Sequence, residues 1–109
     1  MKSPSLYLEH VLEAIAKILE YTNGMDEEEF LANELVKDGV VRKIEIIGEA
    51  IKNLPPDFKE KHKQVPWKDI AGMRDRIIHS YFDVDYKIVW ATVQKDIPEL
   101  ERLVRNLLN

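Results

Sequence analysis

Apolar residues recur every three or four positions through most of this chain, a spacing that places them on one face of an α-helix. The first such run follows Ser3-Pro4, which combines a capping side chain with a proline at the first helical position. It ends at Asn23-Gly24. The pattern predicts a long amphipathic first helix whose apolar positions are Leu8, Val11, Leu12, Ile15, Ile18 and Leu19.

A second helix is predicted from Asp26, which caps a first turn of three glutamates that complement the positive end of the helix dipole. Gly39 marks a break or a bend, and a longer helix follows it and stops at Pro55-Pro56. Gly48 costs this helix about 1 kcal/mol relative to alanine, which suggests close approach of another helix. The apolar positions are Phe30, Leu31, Leu35 and Val36, then Val40, Ile44, Ile47, Ala50, Ile51 and Leu54.

In the C-terminal half, the pattern predicts one short helical piece at 57–63 and two longer helices. Trp67 opens the first, which is predicted to run to about Ser80 or Phe82. Val84-Asp85 reads as a turn and cap for the last helix, and Pro98 should bend or restart it. The expected apolar positions are Ile70, Met73, Ile77 and Ile78, then Ile88, Val89, Val93, Ile97, Leu100, Leu103, Val104 and Leu107.

No stretch alternates with period two over enough residues to predict a strand. The predicted fold class is therefore all-α, an antiparallel bundle of four main helices plus short helical pieces. At 109 residues the chain reads as one domain, 1–109. A monomer of this size buries only about 60 to 70% of its unfolded surface, so dimerisation would add stability.

Composition narrows the functional classes. The chain has no cysteine, which excludes disulfides and thiolate metal sites. It has no apolar run near the roughly 20 residues of a membrane span, and its first residues lack the apolar region of a signal peptide. We therefore expect a cytoplasmic protein without a membrane partner.

Charge is unevenly distributed. The net charge of −4 argues against non-specific coating of nucleic acid. Residues 26–34 hold five acids and no base, whereas residues 59–76 hold six Lys or Arg against three acids, a local balance of +3. Taken alone, such a basic run is most often a solvated face. Here it leads directly into the stretch that is richest in reactive side chains.

That stretch, residues 74–81, contains a cation, a carboxylate, an imidazole and a phenol. On a continuous helix Asp75 and His79, four apart, would lie one above the other, so the carboxylate could orient the imidazole. Arg74 and Tyr81, seven apart, would share the neighbouring stripe. From the spacing alone, an ion-pair network that stabilises a dimer is the first interpretation.

The spacing Arg, four residues, His, one residue, Tyr resembles the signature of the HEPN superfamily, in particular the HepT-like toxins paired with minimal nucleotidyltransferase antitoxins. Neighbouring stretches are also similar to that family, and the resemblance covers nearly the whole chain. The similar stretches are Glu29-Phe30-Leu31, the segment 41–50, Pro66-Trp67, Gly72-Met73-Arg74, Tyr81 to Asp85, and Val89-Trp90.

The resemblance implies a metal-independent endoribonuclease, the toxin of a type VII toxin-antitoxin pair, with no cofactor. It implies an RNA substrate and a catalytic site at a homodimer interface, with Arg74 and His79 as catalytic residues and Asp75 in support. It also implies that the partner, a minimal nucleotidyltransferase antitoxin, transfers AMP to the motif tyrosine, here Tyr81.

Elementary chemistry agrees with this assignment. An imidazole exchanges its proton near neutral pH, and the planar guanidinium of Arg74 matches phosphate oxygens. One histidine cannot easily stand on both sides of an in-line displacement, which favours a two-fold dimer that brings His79 of both chains into one cleft.

Two other interpretations stay open. The first is a non-catalytic module that presents the patch to the nucleotidyltransferase or to a nucleotide, and the second is the ion-pair network. A zinc site built from His10, His62 and His79 has no support in the spacing of these residues.

Overall fold

A computed structural model describes residues 3–80 and 82–109. The two long helices of the N-terminal half are α1 and α3, and the C-terminal half ends in a helical run that contains one π-helical segment. The helices are α1 Pro4–Thr22, α2 Glu27–Ala32, α3 Glu34–Lys52, α4 Pro56–Lys61, α5 Trp67–Ala71, α6 Met73–Ile77, α7 Tyr86–Ala91, the π segment Thr92–Asp96, and α8 Ile97–Leu108. Two strands, β1 Ile78–Ser80 and β2 Asp83–Val84, form a small antiparallel sheet.

The expected all-α fold class is confirmed. Helix α1 packs mainly on α3 and also contacts α8, while α3 contacts α5 and α6. The apolar positions predicted from Val40 to Leu54 are all buried, as are four of the six predicted on α1. Leu12 and Leu19 of α1 are only partly buried at the margin of the core. Burial of the helix faces around α3 is what organises the molecule.

Of the predicted break or bend at Gly39, the break is wrong, because the chain breaks earlier, at Asn33. The side-chain oxygen of Asn33 accepts a hydrogen bond from the Val36 backbone N–H at 3.0 Å, which caps a new helix. Helix α3 then runs without interruption through Gly39. The early break also leaves Leu35, a predicted core residue, 84% exposed.

The helix predicted from Trp67 to about Ser80 or Phe82 is also wrong. Gly72 separates α5 from α6, and α6 ends at Ile77. The chain then enters β1, where Ile78 pairs with Val84, and the Asp85 backbone N–H donates to the Ile77 carbonyl oxygen at 2.8 Å. The prediction that the chain has no strand therefore fails here. Consecutive β-branched residues favour this extended backbone over a further helical turn.

The final helical run begins where it was predicted. The Asp85 side chain accepts a hydrogen bond from the Ile88 N–H at 3.2 Å and caps α7. Pro98 lies in the first turn of α8, directly after the π segment, which confirms the predicted restart. Ile88, predicted to be in the core, is instead 40% exposed.

None of the helices in the described ranges is both long and apolar enough to cross a membrane.

Candidate active site

Helix α6 is anchored by its apolar side and exposes its cations. Met73 and Ile77 are buried, as is Ile78 in the strand that follows. Arg74 and Arg76 point to solvent on the same short segment. Met73, Ile77 and Ile78 were predicted as apolar core positions, and that prediction is confirmed.

The guanidinium of Arg74 lies between two carboxylates. Its Nε is 3.7 Å from Oε2 of Glu45 on α3, and its Nη1 donates to Oδ1 of Asp75 at 3.4 Å. The Arg74 side chain keeps 44% of its surface exposed. Both contacts are long for charge-assisted hydrogen bonds, so the guanidinium can exchange one of them for a phosphate oxygen.

His79 lies on β1 and not on a helix. Side chains alternate between the two faces of a strand, so the burial of Ile78 turns His79 outward, and His79 is exposed. Arg74 therefore lies on a helix and His79 on a strand, and the two elements join between Ile77 and Ile78.

The predicted stacking of Asp75 under His79 is wrong, because it required a helix through both residues. The helix ends at Ile77, so the two positions are no longer one helical turn apart. Asp75 contacts Arg74 instead, with its side chain 72% exposed. The predicted AMP acceptor, Tyr81, lies outside the described residues.

A shallow cavity of about 300 Å³ opens beside Arg74, between α3, the strand pair and α7. A second guanidinium, that of Arg42, lines it, and so does Glu45. Sequence reasoning did not single out Glu45, and its only signal was its place on the polar side of α3. The complete lining is Asp38, Val41, Arg42, Glu45, Arg74, Ile78, Val84 and Tyr86.

Among the described residues, Tyr86, at the first position of α7, is the one whose pKa is clearly shifted. Burial raises the pKa of its phenol, and the negative charges of Asp38 and Glu34 and a hydrogen bond with Asp38 raise it further. The Lys37 Nζ lies 4.5 Å from the centroid of the same ring. This phenol therefore stays protonated beside the cavity to higher pH than an ordinary tyrosine.

The other two histidines lie on different elements from His79. His10 lines a cavity between α1 and α3 that shares Arg42 and Glu45 with the cavity beside Arg74. His62, after α4, packs on Phe58 with ring centroids 4.6 Å apart. Within residues 3–80 and 82–109, no three His, Asp or Glu side chains are arranged to hold a metal ion.

The all-α fold and the exposed arginine–histidine motif define the class of small HEPN-like helical domains. Within that class, the chain belongs to the HepT-like ribonuclease family, whose model matches residues 11–107. The family resemblance predicted from the sequence is thus confirmed.

Similar proteins cover nearly the same length. A protein of Caldanaerobacter subterraneus subsp. tengcongensis named "Putative RNase TTE0752" is 51% identical over 108 residues, which are 99% of this chain and 96% of that protein. A Thermococcus cleftensis protein named "Probable ribonuclease HepT" is 48% identical over 95 residues, 87% of this chain and 86% of that protein. No solved structure matches the chain. Together the family and its members support the expected enzyme class, an endoribonuclease.

Proposed function

We propose that this chain is a metal-independent endoribonuclease in which Arg74 and His79 act on the scissile phosphate at a homodimer cleft. The observation that carries the proposal is their joint exposure from one rigidly anchored segment: Met73, Ile77 and Ile78 are buried, while Arg74 and His79 face solvent. A substrate phosphate can approach both side chains without any rearrangement of the core.

The reaction needs a proton acceptor, a proton donor and positive charge. The 2′-oxygen of the ribose attacks the adjacent phosphorus as its proton passes to a base, and the P–O5′ bond breaks as an acid protonates the leaving oxygen. The products are a 2′,3′-cyclic phosphate and a free 5′-hydroxyl. His79 of one chain serves as the base and His79 of its partner as the acid, while Arg74 stabilises the charge on the five-coordinate phosphorus.

Glu45 supports Arg74 in this scheme as a positioning residue. Its carboxylate on the long helix α3 lies 3.7 Å from the Nε of Arg74. Because this contact uses the Nε edge, the terminal guanidinium nitrogens remain available to phosphate once the Asp75 contact is released.

The test is cleavage of RNA in excess EDTA. We expect cutting with 2′,3′-cyclic phosphate ends, and its loss in Arg74→Ala and in His79→Ala while the helical circular dichroism is unchanged. Arg105→Ala, at an exposed position on α8, is the matched control for the arginine and should still cut. Cutting that survives both motif substitutions would overturn the assignment of residues. Failure to cut any RNA would favour a non-catalytic module that binds a nucleotidyltransferase or a nucleotide.

We further propose that the enzyme is the toxin of a type VII toxin-antitoxin pair, inhibited when a minimal nucleotidyltransferase transfers AMP to Tyr81. The support is the sequence motif, because the phenol follows His79 by two residues. An added phosphate would offer Arg74 an anion in place of substrate. Co-expression with the cognate nucleotidyltransferase should add adenylate mass to the wild-type chain and none to Tyr81→Phe. Tyr86→Phe is the control, and adenylate missing from that variant instead would move the switch to Tyr86.

A further inference from the structure

A second surface beside the motif segment has the chemistry of a nucleic-acid contact. An open hollow of about 570 Å³ lies between α4 and the start of α5. Lys59, Lys63, Lys68 and the ring of Trp67 line it, and we call these four residues the lysine hollow. Ala71, also in its lining, is three positions before Arg74, so the hollow and the candidate active site lie on consecutive helices.

Trp67 is held in place by two hydrogen bonds. Its Nε1 donates to the carbonyl oxygens of Lys59 at 3.1 Å and of His62 at 3.0 Å, and its ring lies 6.2 Å from that of Phe58. The polar edge of the indole is thus already satisfied by the α4 segment. What the half-buried ring adds to the hollow is apolar π surface, which suits stacking and not hydrogen bonding.

The charge of the hollow opposes that of the whole chain. Three lysines line it against one acid, Glu60, which pairs with Lys63 at 3.1 Å. Among the described residues, the ion pairs include neither Lys59 nor Lys68. The hollow therefore keeps a positive excess on a chain whose net charge is −4.

The other cavities near the motif carry less positive charge. The cavity beside Arg74 sets Arg42 and Arg74 against Asp38 and Glu45. The cavity between α5 and α8 contains Asp69, Asp96 and Glu99 against one cation, Arg76. The scissile phosphate is assigned to Arg74 itself, and the positive excess of the lysine hollow favours binding of the rest of the RNA strand there.

We infer that the lysine hollow binds a nucleotide of the RNA substrate beyond the two that flank the cleaved bond, with its phosphate on the lysines and its base stacked on Trp67. Cations combined with an aromatic face are the usual platform for single-stranded nucleic acid. The inference rests on the proposed ribonuclease function, whose substrate path it specifies.

Binding of an RNA oligonucleotide with 2′-O-methyl groups throughout tests the inference without cleavage, because its 2′-oxygens cannot attack. Lys63→Ala/Lys68→Ala should weaken binding about tenfold and lower the slope of log K against log salt by about 1.4, roughly 0.7 for each lost phosphate contact. Lys17→Ala/Lys95→Ala removes the same charge from exposed positions on α1 and the π segment. Equal affinity of the two double variants would overturn the inference.

Tryptophan fluorescence tests the stacking. The chain has two tryptophans, so Trp90→Phe leaves Trp67 as the reporter. The same oligonucleotide should quench its emission because a base stacks on the ring. Lys63→Ala/Lys68→Ala should shift the quenching curve to about tenfold higher concentration, because the variant loses two phosphate contacts and keeps the ring. Unchanged emission at saturating oligonucleotide, or equal quenching by a polyglutamate peptide, would overturn the assignment to RNA.

Cleavage kinetics separate this inference from the proposed function. The lysine variant should raise KM for a long RNA about tenfold with kcat unchanged, and should leave cleavage of a dinucleotide unchanged. Lysine-dependent oligonucleotide binding by a protein that cuts nothing would overturn the ribonuclease proposal and retain the hollow. Normal cutting of long RNA by the lysine variant would overturn the hollow alone.

Discussion

Two competing demands act on the guanidinium of Arg74. It needs a partner to hold its orientation, and it must also be free to receive a phosphate. The Glu45 contact at 3.7 Å meets the first demand, and the 44% exposure of the side chain meets the second. A shorter, fully buried pair would orient the arginine better, but it would withdraw the charge from the substrate.

If Glu45 positions Arg74, Glu45→Gln should lower kcat for RNA cleavage by about two- to fivefold, the range expected for loss of a partly exposed ion pair. The KM should change little, since Arg74 keeps its charge. Glu49→Gln, one turn further along α3, is the matched control and should leave kcat unchanged. Initial-rate kinetics distinguish the cases, with partial recovery expected in Glu45→Asp. An increase in kcat would show that Glu45 competes with phosphate instead.

The raised pKa of Tyr86 makes a prediction about stability at alkaline pH. In the native state the Tyr86 phenol keeps its proton at pH values above the ordinary pKa of 10.0, whereas in the unfolded chain it loses the proton there. The unfolded state then binds fewer protons than the native state, so the free energy of unfolding should fall as the pH rises from about 10 through the native pKa. Urea unfolding at a series of pH values should show a shallower fall in Tyr86→Phe. Tyr7→Phe is the control, and identical slopes for Tyr86→Phe and wild type would contradict the prediction.

At the level of single elements, helix α3 contains two glycines, and each one faces a different neighbour. The expected close approach at Gly48 is confirmed, because a Cβ built there would lie 3.4 Å from the Ala71 carbonyl oxygen on α5. That distance is ordinary van der Waals contact. At Gly39 a Cβ would lie 3.1 Å from Cε2 of Tyr21, which is tighter. The first site can accept a methyl group, and the second requires the tyrosine ring to move.

Gly48→Ala should therefore raise the free energy of unfolding by up to about 1 kcal/mol, the difference in helix propensity between the two residues. Gly39→Ala gains the same propensity but loses part of it to the displaced ring, so its increase should be smaller. Urea denaturation of both variants measures the difference. A larger gain at Gly39 than at Gly48 would show that the space around α3 is not as the structure has it.

At the scale of the whole molecule, the proposed chemistry requires more than one chain. A single His79 on an exposed strand cannot act on both sides of the phosphorus, so we predict a symmetric homodimer at micromolar concentration. Sedimentation equilibrium should give twice the mass of the chain, both for the wild type and for His79→Ala, because the substitution removes a reacting group and not the interface. A monomer at those concentrations would contradict the two-histidine mechanism.

The helical class, most of the core and the caps at Asp26 and Asp85 were predicted correctly from the sequence. These follow from local rules: apolar spacing selects Val40, Ile44 and Ile47 as one buried face, and Asp85 caps the helix that follows it. The exposure of Arg74 agrees with the same helical spacing, because Met73 and Ile77 face inward. The exposure of His79 follows from side-chain alternation along β1, which the helical periodicity did not predict. The family followed from the spacing of the motif residues together with the neighbouring stretches that resemble it.

The end of the motif helix and the ion-pair partner of Arg74 depend on tertiary contacts. The pairing of Ile78 with Val84 and the bond from the Asp85 N–H to the Ile77 carbonyl join positions that helical periodicity does not relate, so the spacing favoured a helix where a strand forms. The contact between Glu45 and Arg74 depends on how α3 packs against α6. Local propensity cannot specify it, because two exposed polar residues on separate helices meet only once the core between them has formed.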